Sequence, residues 1–563
     1  MKENATSSDL KQNLQGWMIF FIVITSLIGS GIFSTGGPAI EVAGPGGALL
    51  ALVIVGIIAI CMAEGLSELT QLFPAPNAIV EYVRAFVDKD YAWVVGIAYW
   101  FTYISIFAGQ NLMAAKLSEY WGLKQVWQIV LFYFATPTLL VCINLVGVGT
   151  FGWVEAVSGI LKIILVVGLT IVLYVMAAQA ESTGNWSGNG PIQVGFQHNS
   201  DYATNGFRAV AYVIPMIAFS FLGIESVAVT AFEARSSKSL RLPSQSIAYV
   251  ALVLYFLCLL GQLLNVSWDN KHLPQIYGGI GNDTQGREKP MPEPGSSSMT
   301  IIALWAWGAI GHKALAGFLN GAMIFAVMSA GNTSLYIASR TLYGLARDVP
   351  RTTRLGRLAN GFSHVVPSTG VPARALLLSA FAFIWLPFVS LKSGYAIQYL
   401  IEIVQISSSI SCLIVWASLS FAYLRYYLWL KSCKEHLIGD RFAQFKRNTS
   451  EYKPFTVLAF AQPLPAIISI VGCLVVLEFC SATWWSSPVT FAKVAIGYTA
   501  PFFVAILFIL FKIVNRRLWV RTGTNWADFS QALQTLKWYK NDEIDPEHEL
   551  QEVTGTRSPP IMP

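Results

Sequence analysis

The sequence has little charge, and it lacks the residue patterns of most enzymes. Only 12% of its 563 residues are Asp, Glu, Lys or Arg, whereas a soluble domain carries roughly 25%. Its seven cysteines include no C-x-x-C pair, and its six histidines stand in no metal-binding spacing. A nucleophile elbow and a phosphate-binding loop are also missing. The formal net charge of +6 is spread over loops, so we expect no enzymatic activity, no metal, no cofactor and no nucleic acid partner.

Long apolar runs are what the sequence has instead. Hydrophobic residues make up 54% of the chain, which includes 18 tryptophans. Runs of ~20 apolar residues, long enough to cross a bilayer as a helix, recur about twelve times. A β-barrel would show short alternating segments, so the pattern predicts an all-α integral membrane protein with about 12 transmembrane helices. The predicted spans are 18–40, 46–68, 91–118, 125–146, 152–179, 208–233, 245–267, 299–338 (one span plus an amphipathic entry), 373–391, 396–423, 464–482 and 490–513.

Basic residues concentrate on one side of these spans. The even-numbered connections carry them, as at Arg235 and Lys238 after span six, whereas the loop 180–207 has no Lys or Arg. The positive-inside rule therefore predicts that both termini are cytoplasmic, and the glycosylation sequons at Asn185 and Asn282 fall on the other side. Basic residues near the membrane are expected to contact anionic lipid headgroups. The predicted organisation is a cytoplasmic N-terminus (1–17), a transmembrane domain (18–515) and a cytoplasmic tail (516–563).

Span one contains the stretch SLIGSGIFSTGG at residues 26–37, with glycine at 29, 31, 36 and 37. Lipid cannot form hydrogen bonds with an opened backbone. A break here therefore requires protein or a water-filled cavity to receive the freed N–H and C=O groups. The alternative is a seam of small residues on which another helix packs.

Span six carries a second interruption, in IAFSFLGIESVAVTAFEA at residues 217–234. Gly223 is followed by Glu225, and a carboxylate near mid-membrane costs a few kcal/mol. Two interrupted helices in matching places of two repeats indicate a transporter site at the repeat interface. Half-helix N-termini there attract an anion, while carbonyl ends attract a cation. A zwitterion such as an α-amino acid fits that arrangement.

Several motifs resemble those of one transporter family. IGSGIF in span one, AGPGGALLALVIVG at 43–56 and FSFLGIES in span six are similar to the amino acid permeases of the amino acid–polyamine–organocation superfamily. MSAGNTSLYIASRTLYGLARD at 328–348, with GVPARAL at 370–376 and SEYW at 118–121, resembles its fungal amino acid permease branch. The resemblance implies twelve spans in a five-plus-five inverted repeat of the LeuT type, with helices one and six broken. It also implies secondary active amino acid import at the plasma membrane, by proton symport with alternating access.

The resemblance also assigns roles to individual residues. It implies that the substrate carboxylate meets the backbone at Ile28, Gly29, Ser30 and Gly31, and that the amino group meets carbonyls near Phe219, Ser220 and Leu222. It places Lys162 of span five where sodium sits in sodium-driven relatives, so the proton gradient would drive uptake; the alternative is that Lys162 reaches the interface. Glu225 would hold the broken helices and respond to protons or to a basic substrate. Other residues that are expected to line the cavity, or to form interhelical hydrogen bonds instead, are Gln110, Asn111, Ser329, Asn332 and Thr333.

Two alternatives remain open at this point. The cargo could be a related amine, such as a polyamine, choline or a GABA-like compound, since broken helices suit several charged metabolites. The chain could also be an amino acid sensor that does not transport, although sensor relatives carry long cytoplasmic extensions. The text FPAPNAIVEYV after span two departs from the proline, glycine and aromatic pattern of the family, which leaves the inner-gate detail and the subfamily open.

Overall fold

The computed structural model describes residues 14–183, 195–200, 202–234, 240–268, 313–349, 351, 354–389, 396–437, 440–447, 449–450, 452, 454–479, 491–516 and 526–538. Within these residues the chain forms helices and turns but no β-strand. In the described part of the chain, nine helices are long and apolar enough to cross a membrane, and three shorter apolar helices complete the order of the twelve predicted spans. The all-α transmembrane fold is therefore confirmed.

The helices follow the predicted order with few shifts. Span eight runs to Arg347, beyond the predicted end, and its predicted entry before residue 313 lies outside the described residues, as do Asn185 and Asn282. The bounds are Gly16–Leu27 and Ser30–Ser34 (span one), Gly36–Leu72 (end of span one and span two), Lys89–Ser118, Gln125–Val146, Val148–Thr183, Gly206–Phe221 and Ser226–Thr230 (span six), Arg241–Leu263, Lys313–Arg347, Ala373–Val389, Ala396–Ser432, Leu464–Phe479 and Phe491–Asn515, with further helices at Ala78–Phe86, Arg354–Asn360 and Trp526–Trp538.

Span one is broken where its glycines predict a break. The first helix ends at Leu27, and the backbone of Ile28 and Gly29 leaves the helical region before Ser30 begins a short helix. The chain then enters the helix Gly36–Leu72. The prediction of two separate segments, 18–40 and 46–68, is confirmed, because Gly36–Leu72 consists of the end of span one and of span two, which meet at a non-helical kink.

The kink in this long helix lies at Gly44, which has a φ of +66° ahead of Pro45. The backbone groups that the kink frees form hydrogen bonds with the segment 195–199, which precedes span six. Asn199 N donates to the Val42 carbonyl at 3.0 Å, and Gly46 N donates to the Gly195 carbonyl at 2.9 Å. A Cβ atom at Gly44 would lie 1.8 Å from the Gln197 carbonyl oxygen. Both the conformation and the close approach therefore require glycine.

Span six is broken at the second predicted place. The helix Gly206–Phe221 ends at Leu222, which is extended with a ψ of 132°. Gly223 follows with a φ of +117°, and a helix resumes at Ser226. Both interruptions that the sequence predicts are confirmed.

The end of the bundle at which span one begins is held by a buried ion pair. Arg340 Nε of span eight lies 3.1 Å from Glu233 Oε1 at the end of span six. Tyr336 also donates to Glu233, and Leu14 N donates to the Glu233 carbonyl at 2.9 Å. Phe151 stacks on the Tyr336 ring with centroids 4.3 Å apart. Spans one, five, six and eight are thus joined at this face.

Breaking this pair should destabilise the fold. Arg340→Leu leaves the Glu233 carboxylate buried without its cation, which costs about 3–5 kcal/mol. We expect a lower melting temperature for the purified variant. Neutralising both partners, in Glu233→Gln with Arg340→Leu, should recover most of the loss. An unchanged melting temperature in the single variant would contradict the role given to this pair.

A second ionic cluster lies outside the apolar spans, in the helix Ala78–Phe86. Arg84 Nη1 lies 2.9 Å from Glu81 Oε1 and also pairs with Asp348. Burial outweighs the attraction of Arg84 and raises the pKa of Glu81 from 4.5 to about 7.

The folded chain therefore binds the Glu81 proton more tightly than the unfolded chain, so stability falls as the pH rises from 4.5 towards about 7. Melting temperatures measured across this window should fall more for the wild type than for Glu81→Gln. Parallel curves for the two proteins would refute the assignment.

Candidate substrate site

The two broken helices touch each other at their interruptions. A Cβ atom at Gly31 would lie 2.6 Å from the Ser220 Cα, and one at Gly223 would lie 2.5 Å from the Ser26 Oγ. Side chains at either position would therefore separate the two spans. Gly29 is as close to span eight, with its Cβ position 2.7 Å from the Ala330 Cβ and 3.3 Å from Gln110 Nε2 of span three. These glycines bring the two open backbone segments together.

A pair of hydroxyls connects the two breaks. Thr35 Oγ1 donates to the Gly31 carbonyl at 2.7 Å and lies 2.9 Å from Ser220 Oγ. Beside this pair is a cavity of about 20 Å³. Its lining comes from spans one, two, six and seven: Thr35, Gly36, Ala39, Leu52, Ile217, Ser220, Tyr255, Leu259 and Gln262. A space of that size holds about one water molecule.

The carbonyl groups freed at the end of the first helix are bound from two sides. Lys162 Nζ of span five donates to the Thr25 carbonyl at 2.8 Å, and Tyr255 Oη of span seven donates to the Leu27 carbonyl at 2.9 Å. Both side chains are buried, and Lys162 is 0% exposed. Lys162 therefore lies at the break and does not reach the membrane interface.

Lys162 is connected to a buried carboxylate that the sequence analysis did not single out. Thr25 Oγ1 lies 3.1 Å from Thr333 Oγ1, which donates to Glu155 Oε2 at 2.8 Å. Asn332 donates to the other Glu155 oxygen, and Asn144 Nδ2 donates to Asn332 Oδ1 at 2.7 Å. Glu155 is 0% exposed. Thr25 thus lies between one cation and one anion: its carbonyl accepts from Lys162, and its hydroxyl contacts Thr333, which donates to Glu155.

Glu225 lies in the break of span six and bonds to neighbouring spans. Tyr103 of span three donates to Glu225 Oε1, Trp416 Nε1 of span ten donates to Oε2 at 2.9 Å, and Gly223 N donates to Oε2 at 3.3 Å. These donors satisfy both oxygens of a carboxylate that is 0% exposed. In this conformation Glu225 connects the break to spans three and ten.

The remaining candidates differ in what they face. Gln110 contacts Gly29, and Ser329, one residue before Ala330, has a buried hydroxyl with no hydrogen bond among the described residues. Asn111 donates to the Phe107 carbonyl of its own helix at 2.9 Å, and Asn332 is engaged by Glu155 and Asn144. Phe219 is buried, and Ile28, Gly29, Ser30, Gly31, Ser220 and Leu222 lie at the two breaks.

Sequence reasoning missed Glu155, Thr25 and Tyr255. A signal for Glu155 was present, because it precedes Lys162 by seven residues and residues seven apart share one face of a helix. Two opposite charges on one face of an apolar span indicate a buried pair. Tyr255 and Thr25 leave no such signal, since their roles depend on contacts between distant spans.

Comparison with known proteins identifies the family of this chain. A profile of the amino acid permease family matches residues 18–528. The chain belongs to the amino acid permease family. An amino-acid permease of Candida albicans is 27% identical to this chain, in an alignment that covers 94% of this chain and 76% of the relative.

Two further relatives align with less of this chain. A lysine/arginine permease of Candida albicans is 27% identical over 84% of this chain and 75% of its own. A lysine-specific permease of Lactococcus lactis is 26% identical over 75% of this chain and 77% of its own. Fungal and bacterial permeases thus align with most of the transmembrane domain.

Proposed function

We propose that the permease imports amino acids by proton symport with alternating access. The observation that carries this proposal is the buried Lys162, whose ammonium donates to the Thr25 carbonyl at the break of span one. The matched relatives are named for amino acids, among them lysine and arginine. The open backbone at Gly29–Gly31 and Phe219–Leu222 would hold the carboxylate and the amino group of the substrate.

The coupling argument rests on charge balance. With Lys162 and Glu155 both ionised, the network is neutral, and moving one proton changes its charge by one. A buried charge that lacks its partner is unfavourable by several kcal/mol, and a buried lysine changes its protonation readily. Loss of the Lys162 proton would turn the charge-assisted hydrogen bond to the Thr25 carbonyl into a weaker neutral one. Proton movement would thereby alter how firmly the first helix of span one is held.

The test is uptake by the purified permease in proteoliposomes. Labelled amino acid should accumulate when the outside is acidic, and accumulation should stop when a protonophore collapses the pH gradient. The interior should become acidic as substrate enters. Uptake that does not depend on the pH gradient would refute symport. If amino acids inhibit that uptake, the result would still support amino acid transport.

The same assay separates the alternatives. Competition by each of the twenty amino acids, a polyamine, choline and GABA identifies the cargo by which compound blocks labelled uptake. A sensor would bind an amino acid, seen as a rise in melting temperature, without any uptake.

We also propose a plasma-membrane location with both termini cytoplasmic, from the distribution of basic residues. A tag at either end should be protected from protease in intact cells and cleaved after permeabilisation. Cleavage in intact cells would overturn this orientation.

A further inference from the structure

Gln262 of span seven is a buried polar group beside the two breaks. Its side chain is 0% exposed, and Oε1 accepts no hydrogen bond from the residues that the structure describes. The amide nitrogen lies 3.8 Å from Cys258 Sγ. A buried acceptor without a partner destabilises the folded state. Such groups in native structures require an explanation, such as a role in binding.

The surroundings of Gln262 define the chemistry of the cavity that it lines with Thr35 and Ser220. Thr35 has one hydroxyl proton, which goes to the Gly31 carbonyl. The Ser220 hydroxyl must therefore donate to Thr35 Oγ1 across their 2.9 Å contact. Both hydroxyl protons are committed, so these two side chains and Gln262 Oε1 have only acceptor capacity left for a ligand. The lining includes no charged residue, which disfavours an ionised group.

We propose that this cavity is a side pocket of the substrate site, and that Gln262 determines specificity by accepting a hydrogen bond from a small neutral donor on the substrate side chain. The inference rests on the proposed amino acid transport. Ser220 lines the cavity and lies at the break that would hold the substrate amino group. A space of about 20 Å³ accommodates a group of the size of a hydroxyl. Side-chain hydroxyls are therefore preferred over methyl groups.

Competition of labelled uptake in proteoliposomes tests this preference. Threonine and valine have the same shape, but threonine has a hydroxyl where valine has a methyl group. Serine and 2-aminobutyrate differ in the same way. For the wild type we expect the hydroxyl compound to inhibit about tenfold better in each pair, because a buried acceptor is satisfied only by it. Gln262→Leu should bring both ratios close to one by weakening the hydroxyl compounds alone.

The contact between Gln262 and Gly36 supplies an internal control. A Cβ atom at Gly36 would lie 2.9 Å from Gln262 Oε1, and its next neighbours, at 3.4 and 3.5 Å, also belong to the Gln262 amide. Gly36→Ala should therefore displace the amide and reduce the hydroxyl preference. Any loss in the rate of uptake that the added methyl group causes should be reversed in the double variant Gly36→Ala with Gln262→Ala, because the clashing amide is gone. The hydroxyl preference should remain absent.

The outcomes separate this inference from the proposed function. A wild type that transports amino acids with no hydroxyl preference overturns the pocket, as does a Gln262→Leu variant that weakens both members of each pair equally. A wild type that transports no amino acid overturns the proposed function and the pocket together. Should Gln262→Leu fold poorly, Gln262→Met and the melting-temperature rise caused by threonine but not valine give the same comparison in the purified protein.

Discussion

Lys162→Met is expected to abolish accumulation of substrate against a gradient, with a loss of about 100-fold or more, while exchange of substrate across the membrane continues. The variant removes the ammonium that donates to the Thr25 carbonyl and keeps a side chain of similar length. It also leaves the buried Glu155 without the cation that attracts it, which is unfavourable. The measurement compares concentrative uptake driven by a pH gradient with counterflow in proteoliposomes.

The matched control neutralises both charges. Lys162→Met with Glu155→Gln removes the uncompensated carboxylate, so its melting temperature should return towards that of the wild type. Its uptake should remain uncoupled, because the group that exchanges the proton is still missing. Concentrative uptake by either variant would remove Lys162 from the coupling mechanism.

Gly31→Ala is expected to lower uptake by about 100-fold or more without removing any polar group. The added Cβ would lie 2.6 Å from the Cα of Ser220 and 3.1 Å from its Oγ. The nearest atom belongs to the backbone, so it cannot rotate away, and the two broken spans must separate. Overpacking of this kind costs about 1–3 kcal/mol and displaces the surrounding structure. The measurement is the initial rate of labelled uptake, normalised to the amount of reconstituted protein.

Gly168→Ala in span five is the control for this substitution. A Cβ atom at Gly168 would have no neighbour within 4 Å, so we expect normal uptake. The helix should gain about 0.5–1 kcal/mol from alanine. Equal losses of uptake in the two variants would show that the close approach at Gly31 is not what matters.

The sequence was sufficient to predict the spans and both breaks, because their signals are local. A run of apolar residues and a cluster of glycines each depend only on neighbours in the chain. The boundary between span one and span two was predicted as well, but the groups that stabilise it were not. Gly195 and Asn199 lie far along the chain, and they bind the backbone groups that the kink at Gly44 frees.

The network around Lys162 could be predicted only in part. A charged residue in an apolar span indicates a buried site, and Glu155 seven residues earlier was available as its partner. Thr25 and Thr333, which connect them, are ordinary small polar residues of distant spans. Their role comes from the 3.1 Å approach of two hydroxyls, which is set by packing across the bundle. Asn111 is the opposite case. Its position in span three predicted a residue that lines the cavity, but its amide donates to a carbonyl of its own helix.

The chain is mechanically asymmetric about its first break. On one side, the non-helical Gly44 divides Gly36–Leu72, so the piece of helix between Gly36 and Gly44 is only about 12 Å long at 1.5 Å per residue. On the other side, Gly16–Leu27 is a helix of 12 residues whose carbonyl end is bound by Lys162 and Tyr255. A change of access that tilts Gly16–Leu27 must therefore replace these two hydrogen bonds.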